Sequence, residues 1–233
     1  MTVGGLSCMR PYYTKANLYK EIDCFKKASH IEKQYYPLNI IEMCMSTPSL
    51  KVGFMKFRTV GLNGMVNLGQ HPEPDVILIN SSMGPPKQNF VCAHELFHTV
   101  LHRDVSAQSF SCFEEVKPEQ DAAIEWQANE SAAELLLPMK YLLPLVKRKM
   151  PYLKTSEDFF NFKYEIAESF RTTETVVTNR LDDLKYEIYQ YNSGVPLNKI
   201  EILSRHQQQN QHICVQSLND MQYAADSSID CWA

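Results

Sequence analysis

Two histidines and a glutamate stand at a spacing that suits metal-assisted hydrolysis. The segment His94-Glu95-Leu96-Phe97-His98 is an HExxH motif. Residues four apart lie on the same face of a helix, so both imidazoles can converge on one Zn²⁺ ion. Glu95, next to the first ligand, can then reach a water molecule on that ion and serve as its general base. The motif therefore predicts a zinc-dependent hydrolase with His94 and His98 as metal ligands.

The third ligand is not supplied by the same helix. A metzincin carries a glycine three residues after the second histidine and a third histidine six residues after it, but this chain has Leu101 and Asp104 there. His102 lies about 12 Å from His94 along a straight helix, which is too far to share one ion. We therefore expect His102 to cap the helix or to line the site.

A carboxylate ligand can come from the alanine-rich segment 118–137. The segment offers four polar candidates, which are Asp121, Glu125, Asn129 and Glu134. Glu125 and Asn129 share a helical face, so an amide would stand beside the ligand carboxylate and could hydrogen-bond a ligating imidazole. Asp121 shares that face and is the second choice as ligand, whereas Glu134 lies about 180° around the helix from Glu125. We predict Glu125 as the ligand.

Hydrophobic periodicity and turn residues predict the elements that position these side chains. Helices are expected over 15–36, 37–45, 86–102 and 118–137, and strands over 50–59, 65–68 and 75–80. The turn residues at 61–64 are typical of a hairpin that joins the first two strands. A small sheet with two site helices is an α+β arrangement.

A second helical region follows the site helices. Helices are predicted over 156–170 and 173–191 in the outline of a helix-turn-helix. Residues 156–190 carry four basic and eight acidic side chains, and this net charge of −4 opposes contact with nucleic acid. A structural or protein-docking role is preferred. We divide the chain into a metal-binding catalytic domain at 1–145, a helical subdomain at 150–191 and an extension of unknown structure at 192–233.

Composition is typical of a folded chain with a sizeable core. Of 233 residues, 44% are hydrophobic and 21% are charged, and the formal net charge is −4. We therefore expect neither disorder nor electrostatic capture of nucleic acid or of an anionic membrane. The seven cysteines form no CxxC pair, and residues 1–15 lack a secretory pattern. These features predict a reduced, cytoplasmic protein.

Two motifs resemble the ImmA/IrrE-type zinc metallo-endopeptidases. They are AHELFHTVLH at 93–102 and EWQANESAAELLLP at 125–138, and the family pattern is a HELxHxxLH helix followed by ExxANxxAAxLLxP. The resemblance implies a zincin-like fold of the gluzincin type, followed by a helix-turn-helix-like segment. It also implies Zn²⁺ as cofactor, with His94, His98 and Glu125 as ligands.

The resemblance further implies a reaction and a substrate. Glu95 would act as general base while water attacks a peptide carbonyl. The resulting oxyanion needs a further hydrogen-bond donor, for which Tyr141 and His102, and also His71 and Tyr152, are candidates. The implied substrate is a DNA-binding helix-turn-helix repressor, cleaved to induce a mobile-element, prophage or stress response.

A second hypothesis is a catalytically inactive module in which zinc stabilises a scaffold that sequesters a protein partner. An open fourth coordination position favours the enzyme, and a closed site with four protein ligands favours the module. In neither case do we expect direct binding of nucleic acid or of a membrane.

Overall fold

The computed structural model describes residues 13–31 and 35–229. Its helices are α1 (Lys15–Ala28), α2 (Ile40–Met45), α3 (Pro85–Leu101), α4 (Ala122–Leu136), α5 (Met139–Lys149), α6 (Ser156–Phe170), α7 (Glu174–Asp183), α8 (Lys185–Asn192), α9 (Arg205–Asn210) and α10 (Leu218–Ile229). Its strands are β1 (Leu50–Met55), β2 (Leu62–Asn67), β3 (Asp75–Asn80) and β4 (Ser109–Phe113). The predicted α+β class is confirmed, while the zincin-like and helix-turn-helix-like assignments stay predictions. Within the described ranges, every helix is too short or too polar to cross a membrane.

The four strands form one mixed sheet in the order β1-β3-β2-β4. β1 runs parallel to β3, and β2 runs antiparallel to both β3 and β4. The predicted hairpin between the first two strands is therefore wrong, because β3 lies between them. The physical reason is the sequence of β3: its Ile77 and Ile79 are fully buried, and such an apolar strand gains most from a central position.

Helix α3 packs on the sheet and against α4. It begins with two prolines, Pro85 and Pro86, in its first turn, where no backbone N–H is needed. Ala93 of α3, together with Ala128 and Ala132 of α4, is fully buried. These small side chains let the two helices approach closely, which places the predicted ligands of both helices within reach of each other.

Local capping explains why several helices differ in length from the prediction. Helix α1 ends at Ala28 rather than near residue 36, because the backbone leaves the helical region at His30, where φ is 52°. Helix α2 begins after Asn39, whose side chain accepts a hydrogen bond from the amide of Glu42. Helix α4 begins after Asp121, whose carboxylate accepts from the amide of Ala123. Each cap fixes the first residue of its helix.

A second hydrophobic core is formed by the helices α5, α6, α7, α8 and α10. Its fully or almost fully buried residues include Leu142, Phe162, Ile166, Leu181 and Leu218. The helix predicted over 173–191 is divided into α7 and α8 at Leu184, although the backbone hydrogen bonds continue through the bend. Helices α9 and α10 lie in the C-terminal extension, whose structure the sequence left unknown.

A buried charge cluster connects the last helices to the first ones. It consists of three cations and three carboxylates, each at most 5% exposed: Lys15, Lys26, Arg180, Glu130, Glu134 and Glu187. Arg180 of α7 donates to Glu130 at 2.7 Å and also pairs with Glu134, both on α4. Lys15 and Lys26 of α1 pair with Glu187 and Glu134 at 2.8 and 3.0 Å. The opposite charges balance, as burial of ions requires.

Candidate metal centre

Helices α3 and α4 bring His94, His98 and Glu125 together. The two Nε2 atoms of the histidines are 3.0 Å apart. The carboxylate oxygens of Glu125 lie 3.3 Å from Nε2 of His94 and 3.8 Å from Nε2 of His98. Bonds of about 2.0–2.1 Å in tetrahedral geometry separate ligand atoms by about 3.3 Å. The two imidazoles and the carboxylate therefore have a spacing close to that of a zinc site.

The amide of Asn129 orients the first imidazole. Its Oδ1 lies 2.9 Å from Nδ1 of His94. A carbonyl oxygen can only accept a hydrogen bond, so Nδ1 of His94 carries the proton. The lone pair of the neutral ring is then on Nε2, the atom that faces Glu125.

A chain of two hydrogen bonds orients the second imidazole in the same way. Oε1 of Gln127 lies 3.0 Å from Nε2 of His102, and Nδ1 of His102 lies 3.0 Å from Nδ1 of His98. Because Gln127 accepts the Nε2 proton of His102, Nδ1 of His102 must accept from Nδ1 of His98. The lone pair of His98 is thereby also placed on Nε2.

These contacts test whether the residues fit a metal ion. Two Nε2 lone pairs 3.0 Å apart repel each other unless a cation lies between them. Protonation of His98 would remove this repulsion, but it is unfavourable. Burial, together with the neighbouring His94 and His102, holds the pKa of His98 well below its usual range. A divalent ion would satisfy both lone pairs and the Glu125 carboxylate, so the donor set fits one.

Glu95 lies next to this group without a hydrogen bond. The residue is fully buried, and neither carboxylate oxygen has a partner among the described residues. Burial raises the pKa of Glu95 well above its usual value, and the nearby charge of Glu125 raises it further. The backbone amide of Cys112 opposes this rise, although it is not placed for a hydrogen bond to the carboxylate. An unpartnered buried carboxylate costs stability, which is typical of a group kept for a reaction.

Gly64 of β2 gives Glu95 its space. A Cβ atom at Gly64 would lie 2.4 Å from Cγ1 of Val91 and 3.1 Å from Oε1 of Glu95. Any side chain there would displace α3 or the carboxylate. Gly64, the second glycine of the predicted turn 61–64, is therefore a strand residue that lets β2 pass close to α3.

Strand β4, which the sequence did not predict, pairs with β2 and also borders the group, with Cys112 opposite Gly64 in the register. The ring of Phe110 stacks on His98 with centroids 4.3 Å apart and an interplanar angle of 10°. The thiol of Cys112, two residues further on the same strand face, lies within 4.8 Å of donor atoms of His94 and Glu95. The only signal in the sequence was the alternation of apolar and serine residues in SFSCF.

The other predicted candidates lie elsewhere. Tyr141 of α5 packs edge-on against Tyr36, with ring centroids 5.2 Å apart, and belongs to the second core. His71 and Tyr152 are exposed. Asp121, the second choice as ligand, caps α4. The structure thus gathers the predicted ligands with Glu95, Asn129 and His102, and it gives His102 a hydrogen-bond partner behind His98.

Replacing Gln127 by methionine is expected to weaken the binding of a divalent metal ion by about 10- to 100-fold, since hydrogen-bond partners of ligating histidines contribute that much to metal affinity. The thioether of methionine is only a weak acceptor for the N–H of His102, so the lone pair of His98 is no longer fixed on Nε2. Gln127→Glu is the matched control, because it keeps an acceptor at the same position. Competition with a chromophoric chelator measures both affinities, and equal loss in the two variants would contradict the role of the acceptor.

Comparison with known proteins identifies a family and two relatives. The profile of the peptidase M78 family, described as an IrrE N-terminal-like domain, matches residues 51–182. The protein "Radiation response metalloprotease IrrE" of Deinococcus radiodurans is 35% identical over 82 residues, which are 34% of this chain and 24% of that protein. Its counterpart of the same name in Deinococcus deserti is 38% identical over 80 residues, or 34% of this chain and 28% of that protein. These matches thus span about a quarter of the length of each relative.

Proposed function

Because the chain belongs to the peptidase family of IrrE N-terminal-like domains, as its motifs predicted, we propose that it is a zinc-dependent endopeptidase. The observation that carries this proposal is the pair of Nε2 lone pairs turned toward Glu125, beside an unpartnered buried Glu95. Three protein ligands are typical of catalytic zinc sites, which keep one position for water or substrate.

Each residue of the centre has a separate role in the proposed hydrolysis of a peptide bond. A zinc ion bound here supplies Lewis acidity and a water molecule of lowered pKa. Glu95 takes the proton of the attacking water on a carboxylate oxygen and returns it to the amine that leaves. Asn129 and the pair of His102 and Gln127 hold the two imidazoles in the required orientation.

The substrate we propose is a DNA-binding repressor of the helix-turn-helix class, cleaved to induce a mobile-element, prophage or stress response. Two observations support a protein partner of this kind. The similar proteins from Deinococcus are named radiation response metalloproteases. In addition, residues 156–190 carry a net charge of −4, which is complementary to the basic surface that a DNA-binding protein needs.

The test is incubation of the purified protein with the repressor encoded beside it, with and without a chelator. We expect cleavage at one bond, read by mass spectrometry, and complete loss of cleavage when the chelator removes the metal. Stable binding without cleavage would instead favour the zinc-stabilised module that sequesters its partner, and absence of both would contradict the proposed substrate.

Replacement of Glu125 by glutamine is expected to lower the zinc content of the purified protein well below one ion per chain, since a neutral amide is a poorer ligand than a carboxylate. Asp121→Asn is the matched control, because asparagine also caps a helix and Asp121 was the alternative ligand. Metal analysis after dialysis checks both variants. If Asp121→Asn loses the zinc and Glu125→Gln keeps it, the assignment of the third ligand is wrong.

A further inference from the structure

A cleft of about 520 Å³ lies between α3, β4, α4 and α7. Its apolar lining includes Phe90, Val91, Phe113, Trp126, Ala133 and Val176. Pockets for small molecules commonly measure about 300–1,000 Å³ and combine apolar walls with a few polar groups. The cleft is therefore large enough for a bulky side chain together with part of its backbone.

The cleft borders the metal centre through two residues that both share. Asn129 and Cys112 line it, and both also belong to the surroundings of the metal ligands. The amide of Asn129 hydrogen-bonds His94, and the thiol of Cys112 lies within 4.8 Å of donor atoms of His94 and Glu95. A peptide whose reacting carbonyl lies beside Glu95 would consequently place a neighbouring side chain in the cleft.

The far wall of the cleft is α7, the second helix of the pair that resembles a DNA-binding unit. Thr175, Val176 and Asn179 line the cleft from this helix, and Asn179 shares one side of it with the other two because it follows them by four and three residues. This side of α7 looks toward the metal-binding helix α4 across the cleft. Its place in the fold suits contact with a peptide rather than with a DNA groove.

The charged groups of the cleft are paired, including Asp183 with Arg205 at 2.9 Å, which disfavours electrostatic recognition of a charged side chain. Arg180 is fully buried and donates to Glu130 at 2.7 Å. At the rim, Lys87 pairs with Glu114 at 2.9 Å. A lysine or aspartate side chain of a substrate would lose its hydration in the cleft without gaining a free counter-charge. A large apolar side chain would only displace water from apolar walls.

We infer that this cleft is the subsite for one large apolar side chain, leucine, methionine or an aromatic residue, next to the bond that is cleaved. Helix α7 then determines substrate preference through Thr175, Val176 and Asn179. The inference rests on the proposed peptidase function, and it assigns the helical pair a task in peptide recognition. Loss of the apolar side chain from a peptide is expected to lower kcat/KM by about 10- to 100-fold, as for side chains in other hydrophobic pockets.

Binding to the metal-free protein tests the subsite independently of catalysis. N-acetyl-phenylalaninamide at millimolar concentration is expected to shift the amide NMR signals of Thr175, Val176 and Asn179, whereas N-acetyl-alaninamide is not. Thr175→Trp fills the cleft and should abolish the shifts. Glu168→Trp, at an exposed position of α6 outside the cleft, is the control and should retain them. Equal shifts with both probes would overturn the inference.

Cleavage of a proteome-derived peptide library by the zinc-loaded protein provides the second test. We expect one position beside the cleaved bond to be enriched about 10- to 100-fold in large apolar residues, and Thr175→Trp to move that preference toward alanine and glycine. Cleavage without any apolar preference overturns the inference and leaves the peptidase function intact. Absence of all cleavage contradicts the proposed function, while the NMR shifts still decide whether the cleft binds apolar side chains.

Discussion

Glu95→Gln is expected to lower the rate of peptide hydrolysis by at least about 10²-fold while the protein keeps its zinc, since general acid–base catalysis contributes about 10²–10⁴-fold. The amide of glutamine has nearly the volume of the carboxylate but cannot take a proton from water. Glu95 makes no hydrogen bond to the described residues, so the substitution breaks no structural contact. A neutral amide is also cheaper to bury than a carboxylate, and the variant should be at least as stable as the unchanged protein.

Three measurements separate catalysis from structure in this variant. Initial rates on the repressor give the loss of activity, metal analysis gives the zinc content, and thermal unfolding reports stability. Glu119→Gln is the matched control, because Glu119 is exposed and should affect none of the three. Activity close to that of the unchanged protein, with zinc bound, would exclude Glu95 as the general base.

Replacing Arg180 by methionine is expected to lower the free energy of unfolding by about 3–5 kcal/mol, the typical cost of removing one partner from a buried ion pair. Methionine retains the bulk and apolar stem of the side chain, so the main change is the loss of the guanidinium. Glu130 and Glu134, which Arg180 contacts, would then be buried beside each other with fewer counter-charges. The effect should exceed that of an ordinary core substitution that removes one methylene.

Urea denaturation at neutral pH measures this loss, and Arg148→Met, at an exposed arginine, should change stability by less than about 0.5 kcal/mol.

Burial alone would raise the pKa of Glu130, but Arg180, Lys15 and the Tyr19 hydroxyl lower it overall. A carboxyl with a lowered pKa stabilises the fold above its usual titration range, and this contribution disappears as the pH falls toward the lowered value. The difference in free energy of unfolding between Arg180→Met and the unchanged protein should therefore become smaller at acidic pH. A constant difference would contradict the pairing.

The parts of the structure that depend on nearby residues could be predicted from the sequence. The helix around His94 follows from a periodic pattern that begins with two prolines, and the spacing of Glu125 and Asn129 places both on one face. Helix ends were less accurate, because a single cap such as Asn39 or Asp121 moves the first residue by several positions. Caps compete with neighbouring polar residues that look equivalent in the sequence.

The parts that depend on distant residues could not be predicted. The order of the sheet is decided by which strand occupies its centre, and the turn at 61–64 suggested a local hairpin instead of the pairing of β2 with β3. Likewise, nothing in the spacing of His102 and Gln127 indicates that their side chains meet, since one caps α3 and the other lies on α4. Tertiary packing alone brings such pairs together.

The buried charge cluster makes the two ends of the chain interdependent. Lys15 and Lys26 precede the proposed metal ligands by many residues, while Arg180 and Glu187 follow them, and the four meet around α4. A chain that ended near residue 145 would keep every proposed zinc ligand but would lose Arg180 and Glu187, the ion-pair partners of Glu130 and Lys15. The proposed metal site therefore depends for its stability on the helices that follow it. Neither α1 nor the pair α7 and α8 can be exchanged for the corresponding helices of a relative unless the charged side chains that pair with them are exchanged as well.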